Sequence, residues 1–182
     1  MIPGEHMGVA GLPHLSNSHC VVCHVEKYGL YLISAYFKYS DSIDQHLQHL
    51  ETILDQLKGK RVVIGVNSNA HSPLWYSDRA QIVGRGNEAE HRRRMMENFI
   101  MSRGLTLANV EGQPPTFAGA MGESKIDLTL GARGVNASGW RVLDCTSMSD
   151  HRLTTFKVAR ERHVELAWPV EVSVRFRDRE VD

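Results

Sequence analysis

Apolar residues recur at helical spacing in one segment of this chain. Asp41 and Ser42 offer a helix N-cap, and Gly59 is a natural stop after the segment. Between them, apolar residues follow one another at alternating separations of four and three positions, which places them on one side of a helix. They are Ile43, Leu47, Leu50, Leu54 and Leu57. The pattern predicts an amphipathic helix packed on a sheet.

A second helix is predicted from Asn87 to the neighbourhood of Gly104. Its apolar side would carry Met95, Met96, Phe99 and Ile100. Glu90, three residues after Asn87, predicts a capping box at its start. The polar run 91–94 contains a histidine and three arginines, which fits either a DNA-backbone contact or a salt-bridged, solvated helix face. Nearby glutamates favour the solvated face.

Short apolar or β-branched runs predict strands around these helices. They cover residues 18–25, 29–37, 61–66, 105–109, 126–130, 140–144 and 153–158, with a further candidate at 170–176. Residues 1–18 and 67–86 are predicted as loops, in which Trp75 is a buried anchor with base stacking as the alternative. The order of elements predicts sheets covered by helices, an α/β or α+β sandwich.

Composition excludes several classes of protein. The 182 residues contain 21 Lys and Arg against 21 Asp and Glu, so the chain is not a histone-like polycation. No apolar run approaches the ~20 residues that a membrane helix needs, and no signal peptide is visible, which predicts an intracellular chain with no membrane partner. Three cysteines are too few and too clustered for a disulfide framework. Cys20, Cys23 and His24 match a haem or zinc pattern, but alternating residues of a strand explain them better.

Polar residues stand where buried strands begin or end. Asn67 and Asn69 follow one strand, and residues 149–151 directly precede another. Asp127 lies inside an otherwise apolar strand, where a carboxylate is costly unless it is paired or binds a cation. His151 is an attractive partner, because a carboxylate fixes the tautomer of an imidazole and suits it to phosphate contact. Each signal has a structural explanation when taken alone; their joint order is more specific.

That joint order resembles the endonuclease/exonuclease/phosphatase superfamily, and most closely the endonuclease domain of insect LINE-type (non-LTR) retrotransposons. The resemblance covers roughly residues 30–158. It is carried by ISAYF at 33–37, VVIGVNSNAHSPLW at 62–75, PTF at 115–117, SKIDLT at 124–129, and WRVL at 140–143 leading to SDHR at 149–152. The segment 174–182 also resembles the linker that precedes a reverse transcriptase in these elements.

The resemblance implies a four-layer sandwich of two β-sheets flanked by helices, and Mg²⁺-assisted hydrolysis of a DNA phosphodiester. Residues 1–159 would form this domain, and residues 160–182 the tail toward a reverse transcriptase in a parent polyprotein, acting in the nucleus. The implied roles are metal binding for Asp150, phosphate contact for His151 oriented by Asp127, phosphate or water binding for Asn69, phosphate contact for Tyr36, and support from Ser124 and Ser149.

The chain departs from the family pattern in two places. The family has Asp where this chain has Asn67, and an amide can neither take a proton at neutral pH nor add negative charge to a cation site. The family's N-terminal strand, and the Gln-Glu pair whose Glu binds Mg²⁺, have no counterpart; Glu5 does not match that motif. The sequence therefore predicts an impaired endonuclease, with a catalytically dead relic or weak DNA-binding module, or a phosphatase of the same fold, as alternatives. It predicts no oligomeric state.

Overall fold

The computed structural model describes residues 8–82, 86–120, 122–132, 134–143 and 149–159. Three α-helices and ten strands lie within these residues. The helices are α1 (Ile43–Gln56), α2 (Arg79–Ile82) and α3 (Asn87–Ser102). The strands are β1 (Val9–Gly11), β2 (Cys20–Val25), β3 (Leu30–Tyr36), β4 (Arg61–Asn67), β5 (Thr106–Leu107), β6 (Phe117–Gly119), β7 (Gly122–Ser124), β8 (Asp127–Ala132), β9 (Ala137–Val142) and β10 (Thr154–Val158).

The first helix forms as its sequence predicts. Ser42 is the N-cap, and its hydroxyl accepts a hydrogen bond from the backbone N–H of Asp44 at 3.3 Å. The predicted apolar stripe is buried, and Ile53 joins it. Helix α3 also occupies the predicted segment, but the prediction of a capping box at its start is wrong. Gly86 is the N-cap and caps with no side-chain bond, while Glu90 pairs with Arg93 at 3.5 Å.

Six strands form the main sheet in the order β1-β2-β3-β4-β8-β5. Strands β3 and β4 are parallel and the other neighbours are antiparallel. Successive side chains of a strand point to opposite faces. In β4, Val62, Ile64 and Val66 join the core formed with α1 and α3, whereas Val63 packs in a separate cluster on the other face. The sheet therefore has a helix-facing side and an opposite side.

Strands β9 and β10 form a second sheet that covers part of the opposite side. Phe156 and Val158 of β10 pack against Val25, Leu30 and Val63, and the β9 residues Trp140 and Val142 pack with Ala108. The predicted α/β sandwich is confirmed. Within the described residues the second sheet has two strands, and both longer helices lie on the helix-facing side of the main sheet.

Some elements escaped prediction because their sequence signals are weak. Strand β1 lies in a segment predicted as loop, and it forms by backbone pairing with β2. The hairpin β6–β7 is equally short. Predicted strand 105–109 shrinks to β5, and the predicted loop 67–86 contains α2. The predicted tail strand at 170–176 and the segment 160–182 lie outside the described residues.

Two loop and helix predictions have clear outcomes. Trp75 is fully buried and its indole N–H donates to the Ala70 carbonyl at 3.2 Å, so the anchor is confirmed. Arg92, by contrast, was predicted on a solvated face and is fully buried. The prediction is wrong there because loop carbonyls, distant in sequence, surround this guanidinium. No helix in the described part of the chain has the length and apolar character needed to cross a membrane.

Candidate active site

Three of the predicted site residues form a row across the main sheet. Tyr36, at the end of β3, is in register with Asn67 at the end of β4, and Asn67 is in register with Asp127 at the start of β8. Because residues in register on adjacent strands share a face, all three side chains lie on the side opposite the helices. The sheet thus brings together residues up to 91 positions apart, from 36 to 127.

His151 joins this row through contact with Asp127. Its Nδ1 lies 2.9 Å from Asp127 Oδ2. The backbone of His151 forms an isolated bridge with Phe117, whose ring packs edge-on at 5.1 Å from the imidazole. Ser149 Oγ accepts a hydrogen bond from the His151 backbone N–H at 3.1 Å. The imidazole is therefore held in position by its backbone, by a ring contact and by a carboxylate.

Two side chains that the sequence analysis did not single out fix the backbone of Asp127. Thr116 Oγ1 accepts the Asp127 N–H at 3.1 Å and the Ile126 N–H at 3.2 Å. Asn109 Nδ2 donates to the Asp127 carbonyl at 2.9 Å. Both residues are almost fully buried. The sequence signal for Thr116 was its place in the PTF motif at 115–117. Asn109 had no sequence signal beyond its position at the end of a predicted strand.

Asn67 faces the imidazole through its amide nitrogen. Its Oδ1 accepts the backbone N–H of Asn69 at 3.1 Å, which assigns the orientation of the amide. Its Nδ2 then lies 3.5 Å from His151 Nε2. Both ring nitrogens of His151 thus face a polar side chain, Nδ1 the Asp127 carboxylate and Nε2 the Asn67 amide.

Asn69 lies beside this group, but its amide nitrogen points elsewhere. Asn69 Nδ2 donates to the carbonyl of Phe37 at 3.0 Å. Its backbone is left-handed, with φ of 46°, a conformation that non-glycine residues rarely adopt. Tyr36 is 45% exposed at the neighbouring strand end. The site roles given to both residues stay predictions.

The remaining predicted residues lie on segments that support His151 and Asp127. Ser149 contacts the His151 backbone, as described above. Ser124 is the last residue of β7, and it is in register with Phe117 on the neighbouring strand. Its backbone carbonyl accepts a hydrogen bond from Thr116 Oγ1 at 3.5 Å. Asp150 is exposed, and its backbone carbonyl accepts from the Ala118 N–H at 2.7 Å. Their functional roles, too, stay predictions.

The site offers few of the donors that the predicted Mg²⁺ requires. Asp150 offers one exposed carboxylate, Asp127 is committed to His151, and position 67 offers an amide in place of an acid. Among the residues that the structure describes, no three histidine, cysteine or carboxylate side chains come together as a metal site. Mg²⁺ prefers carboxylates in near-octahedral geometry. These residues alone do not fit a complete magnesium centre.

An open cavity of about 400 Å³ adjoins the site. Asn67, Asp127 and His151 line one part of it, and Ser34, Gly65 and Phe156 line another. Arg152 also borders it, but its guanidinium braces the surrounding chain by donating to the Pro115 carbonyl and to Glu123. The result is a solvent-accessible cleft whose lining includes an oriented imidazole and the Asn67 amide.

Together, the sandwich and this polar site define the endonuclease/exonuclease/phosphatase class of fold. The model of the endonuclease–reverse transcriptase family matches residues 30–155, and the chain belongs to this family. It is 29% identical over 169 residues to the Retrovirus-related Pol polyprotein from the type-1 retrotransposable element R1 of Bradysia coprophila. It is 24% identical over 157 residues to a 115 kDa protein of element R1DM of Drosophila melanogaster. These matches cover 90% and 83% of this chain but 16% and 15% of the relatives.

Solved structures share the fold. The endonuclease domain of TRAS1, a telomere-specific non-LTR retrotransposon, superposes with a TM-score of 0.72 at 24% identity, covering 87% of this chain and 70% of that domain. The 3′-5′ exonuclease NExo of Neisseria meningitidis gives 0.61 at 17% identity, covering 84% and 70%. An AP endonuclease of Archaeoglobus fulgidus gives 0.56 at 14% identity, covering 77% and 65%.

Proposed function

We propose that this chain is the DNA-cleaving domain of a non-LTR retrotransposon polyprotein, with its phosphodiesterase activity impaired by Asn67. One observation carries the proposal: the imidazole of His151, 2.9 Å from Asp127, faces a cleft that Asn67 also lines. Family membership and the polyprotein relatives support a nucleic-acid substrate and a reverse transcriptase in the same parent chain. Nuclear action follows from the same proposal, because the target would be chromosomal DNA.

In this proposal the residues act on a scissile phosphate bound in the cleft. Asp127 fixes the imidazole, and in its protonated form His151 donates a hydrogen bond from Nε2–H to the phosphate and stabilises its negative charge in the transition state. That contact requires His151 to release the Asn67 amide at 3.5 Å. Asn69 hydrogen-bonds the phosphate or the attacking water, and Tyr36 contacts the phosphate from the neighbouring strand end.

The amide at position 67 limits the rate. A carboxylate there would take a proton from the attacking water, whereas an amide cannot. Loss of a general base costs about 10²- to 10⁴-fold in rate, which is about 3–5 kcal/mol of barrier. Asp150 is the proposed carboxylate for Mg²⁺, with Ser124 and Ser149 supporting the site. The described donors do not complete a metal centre, and Asn67→Asp would add a carboxylate to them.

Restoring the carboxylate tests the proposal. Asn67→Asp is expected to raise nicking of supercoiled plasmid by about 10²- to 10⁴-fold in the presence of Mg²⁺. EDTA, and His151→Ala added to Asn67→Asp, should abolish the gain. Asn98→Asp is the matched control, because it makes the same chemical change at an exposed position of α3. A folded Asn67→Asp protein without metal-dependent nicking contradicts the proposal.

Asn67 also favours a second candidate, a relic that binds DNA without cleaving it. Such a protein would bind a labelled duplex with an affinity that falls steeply with salt, because phosphate contacts release counterions. It would show no turnover after Asn67→Asp. Fluorescence anisotropy at two salt concentrations, run beside the nicking assay, separates the candidates. Hydrolysis of p-nitrophenyl phosphate in place of plasmid would instead indicate a phosphatase.

A further inference from the structure

Arg92 is a fully buried guanidinium that contacts four backbone carbonyls. Its Nε donates to the carbonyl of Asn69 at 3.3 Å and its Nη1 to that of Asp41 at 3.0 Å. Its Nη2 donates to the carbonyls of Phe37 at 3.2 Å and Ser68 at 3.4 Å. The rigid fork of five N–H donors in arginine is what allows one side chain to reach so many acceptors.

These carbonyls belong to the two loops that present the candidate site. Phe37 directly follows Tyr36, and Asp41 precedes α1. Ser68 and Asn69 directly follow Asn67. Arg92 therefore links the segment that follows β3 to the segment that follows β4 through hydrogen bonds to the backbone of both.

Arg92 and Asn69 share an acceptor. The carbonyl of Phe37 accepts both from Arg92 Nη2 and from Asn69 Nδ2, at 3.2 and 3.0 Å. Arg92 also binds the carbonyl of Asn69 itself, at the residue whose φ of 46° is left-handed. Such a conformation persists in a non-glycine residue only where its surroundings hold it. The guanidinium fixes both the backbone and the acceptor that set the direction of the Asn69 amide.

Burying a cation costs desolvation free energy, so a buried arginine indicates a specific structural role. Burial lowers the pKa of Arg92, and the charges of Glu88, Tyr39 and Asp41 oppose that shift. Glu88 lies 3.8 Å away on the same helix with an exposed side chain, and the ring of Tyr39 lies 5.1 Å from the guanidinium. Neither partner contacts the candidate site; the carbonyl contacts do.

We propose that Arg92 is a positioning residue that holds Asn69 in its left-handed conformation and so sets where its side-chain amide lies beside Asn67 and the proposed phosphate site. The kinetic part of this inference rests on the proposed nuclease function. The structural part does not, because the contacts between Arg92 and Asn69 exist whether or not the chain cleaves DNA. Arg92 reaches the substrate only through Asn69.

The first experiment uses the unaltered chain. Nitrogen-15 NMR of arginine side chains should give separate, slowly exchanging N–H signals for Arg92, since four carbonyls hold its guanidinium. Exposed Arg94 should give averaged, fast-exchanging signals. Assignment uses the loss of signals in Arg92→Lys. Averaged signals for Arg92 overturn the proposal without any variant having to fold.

The second experiment follows Asn69. In Arg92→Lys and Arg92→Met, the side-chain amide signals of Asn69 should move, whereas Arg94→Lys, the matched control on the exposed face of α3, should leave them in place. In the Asn67→Asp background, Arg92→Lys should lower kcat for plasmid nicking by about 10²-fold, the usual cost of misplacing a reacting group. KM should stay within about twofold, because binding groups are intact.

The outcomes separate the two proposals. A folded Arg92→Lys protein with unmoved Asn69 signals, or with unchanged kcat in an active background, overturns the positioning role. If Asn67→Asp shows no nicking at all, the nuclease function fails, and the NMR signals of Asn69 and Arg92 still decide whether Arg92 sets the conformation of Asn69.

Discussion

The two faces of the main sheet differ although the same strands form both. On the helix-facing side, Ile64 and Leu130 are fully buried beneath α1 and α3. On the opposite side, β9 and β10 cover only part of the surface, and Leu32 and Tyr36 are 36% and 45% exposed. Successive residues of one strand thus meet close-packed core on one side and a solvent-accessible cleft on the other.

Because of this difference, one face of the sheet contributes mainly to stability and the other carries the polar residues of the candidate site. Polar and ionisable groups are tolerated where water reaches them, and they are costly in a close-packed core. Asn67 and Asp127 lie on the open side, one residue away from the buried Val66 and Leu128. Arg92 is a buried charge on the helix-facing side, and it is satisfied by carbonyls of the loops that lead to the open side. We therefore expect substitutions on the two faces to have different consequences.

The largest expected effect is on stability. Leu130→Ala should lower the free energy of unfolding by about 2–5 kcal/mol, because it leaves a cavity in a close-packed core. Leu32→Ala removes the same atoms from the open side and should cost less than about 1 kcal/mol. Urea denaturation of both variants measures the contrast. Equal losses would mean that the open side is as closely packed as the other.

The next effect concerns activity. Asp127→Asn should lower nicking by the Asn67→Asp protein by about 10- to 100-fold, the usual cost of losing the group that orients a histidine. Urea denaturation should show little change, since the Asp127 side chain is 25% exposed. Asp55→Asn is the matched control, because Asp55 pairs with Arg103 on the far side of the helices. Undiminished nicking would remove Asp127 from the proposed site.

The smallest effect is a pH dependence on the helix-facing side. Burial and the nearby His19 lower the pKa of His46 below its usual 6.5, Arg92 adds to this, and Asp41 opposes it. The folded state therefore binds fewer protons than the unfolded state just below pH 6.5, so His46 stabilises the fold above that pH and this contribution is lost as the pH falls. Thermal melts at pH 5 and pH 8 should show a smaller difference in His46→Gln.

A parallel variant decides whether His46 is responsible. His14→Gln makes the same change at an exposed histidine and should leave the difference between the two melting temperatures as it is in the unaltered chain. His46 packs parallel to Phe37 with 5.0 Å between ring centroids, so the absolute melting temperature of His46→Gln can fall at both pH values. Only the pH dependence bears on the prediction, and an unchanged dependence would refute it.

Sequence reasoning succeeded where the determining contacts are local. The apolar stripe and Ser42 cap of α1 lie within one stretch of chain, and the structure has both. It failed for Arg92, because the carbonyls that bury it come from residues 37–41 and 68–69. It also missed β1, whose three residues form a strand only by pairing with β2.

The sequence by itself determined the two longer helices, most of the strands and the residue types available for chemistry, because periodicity and capping act over a few neighbouring positions. The tertiary structure decided that Tyr36, Asn67 and Asp127 share a row, and that Asn67 turns its amide toward His151. Strand register and side-chain direction depend on pairing between distant segments, and a shift of one residue would move each of these side chains to the other face of the sheet.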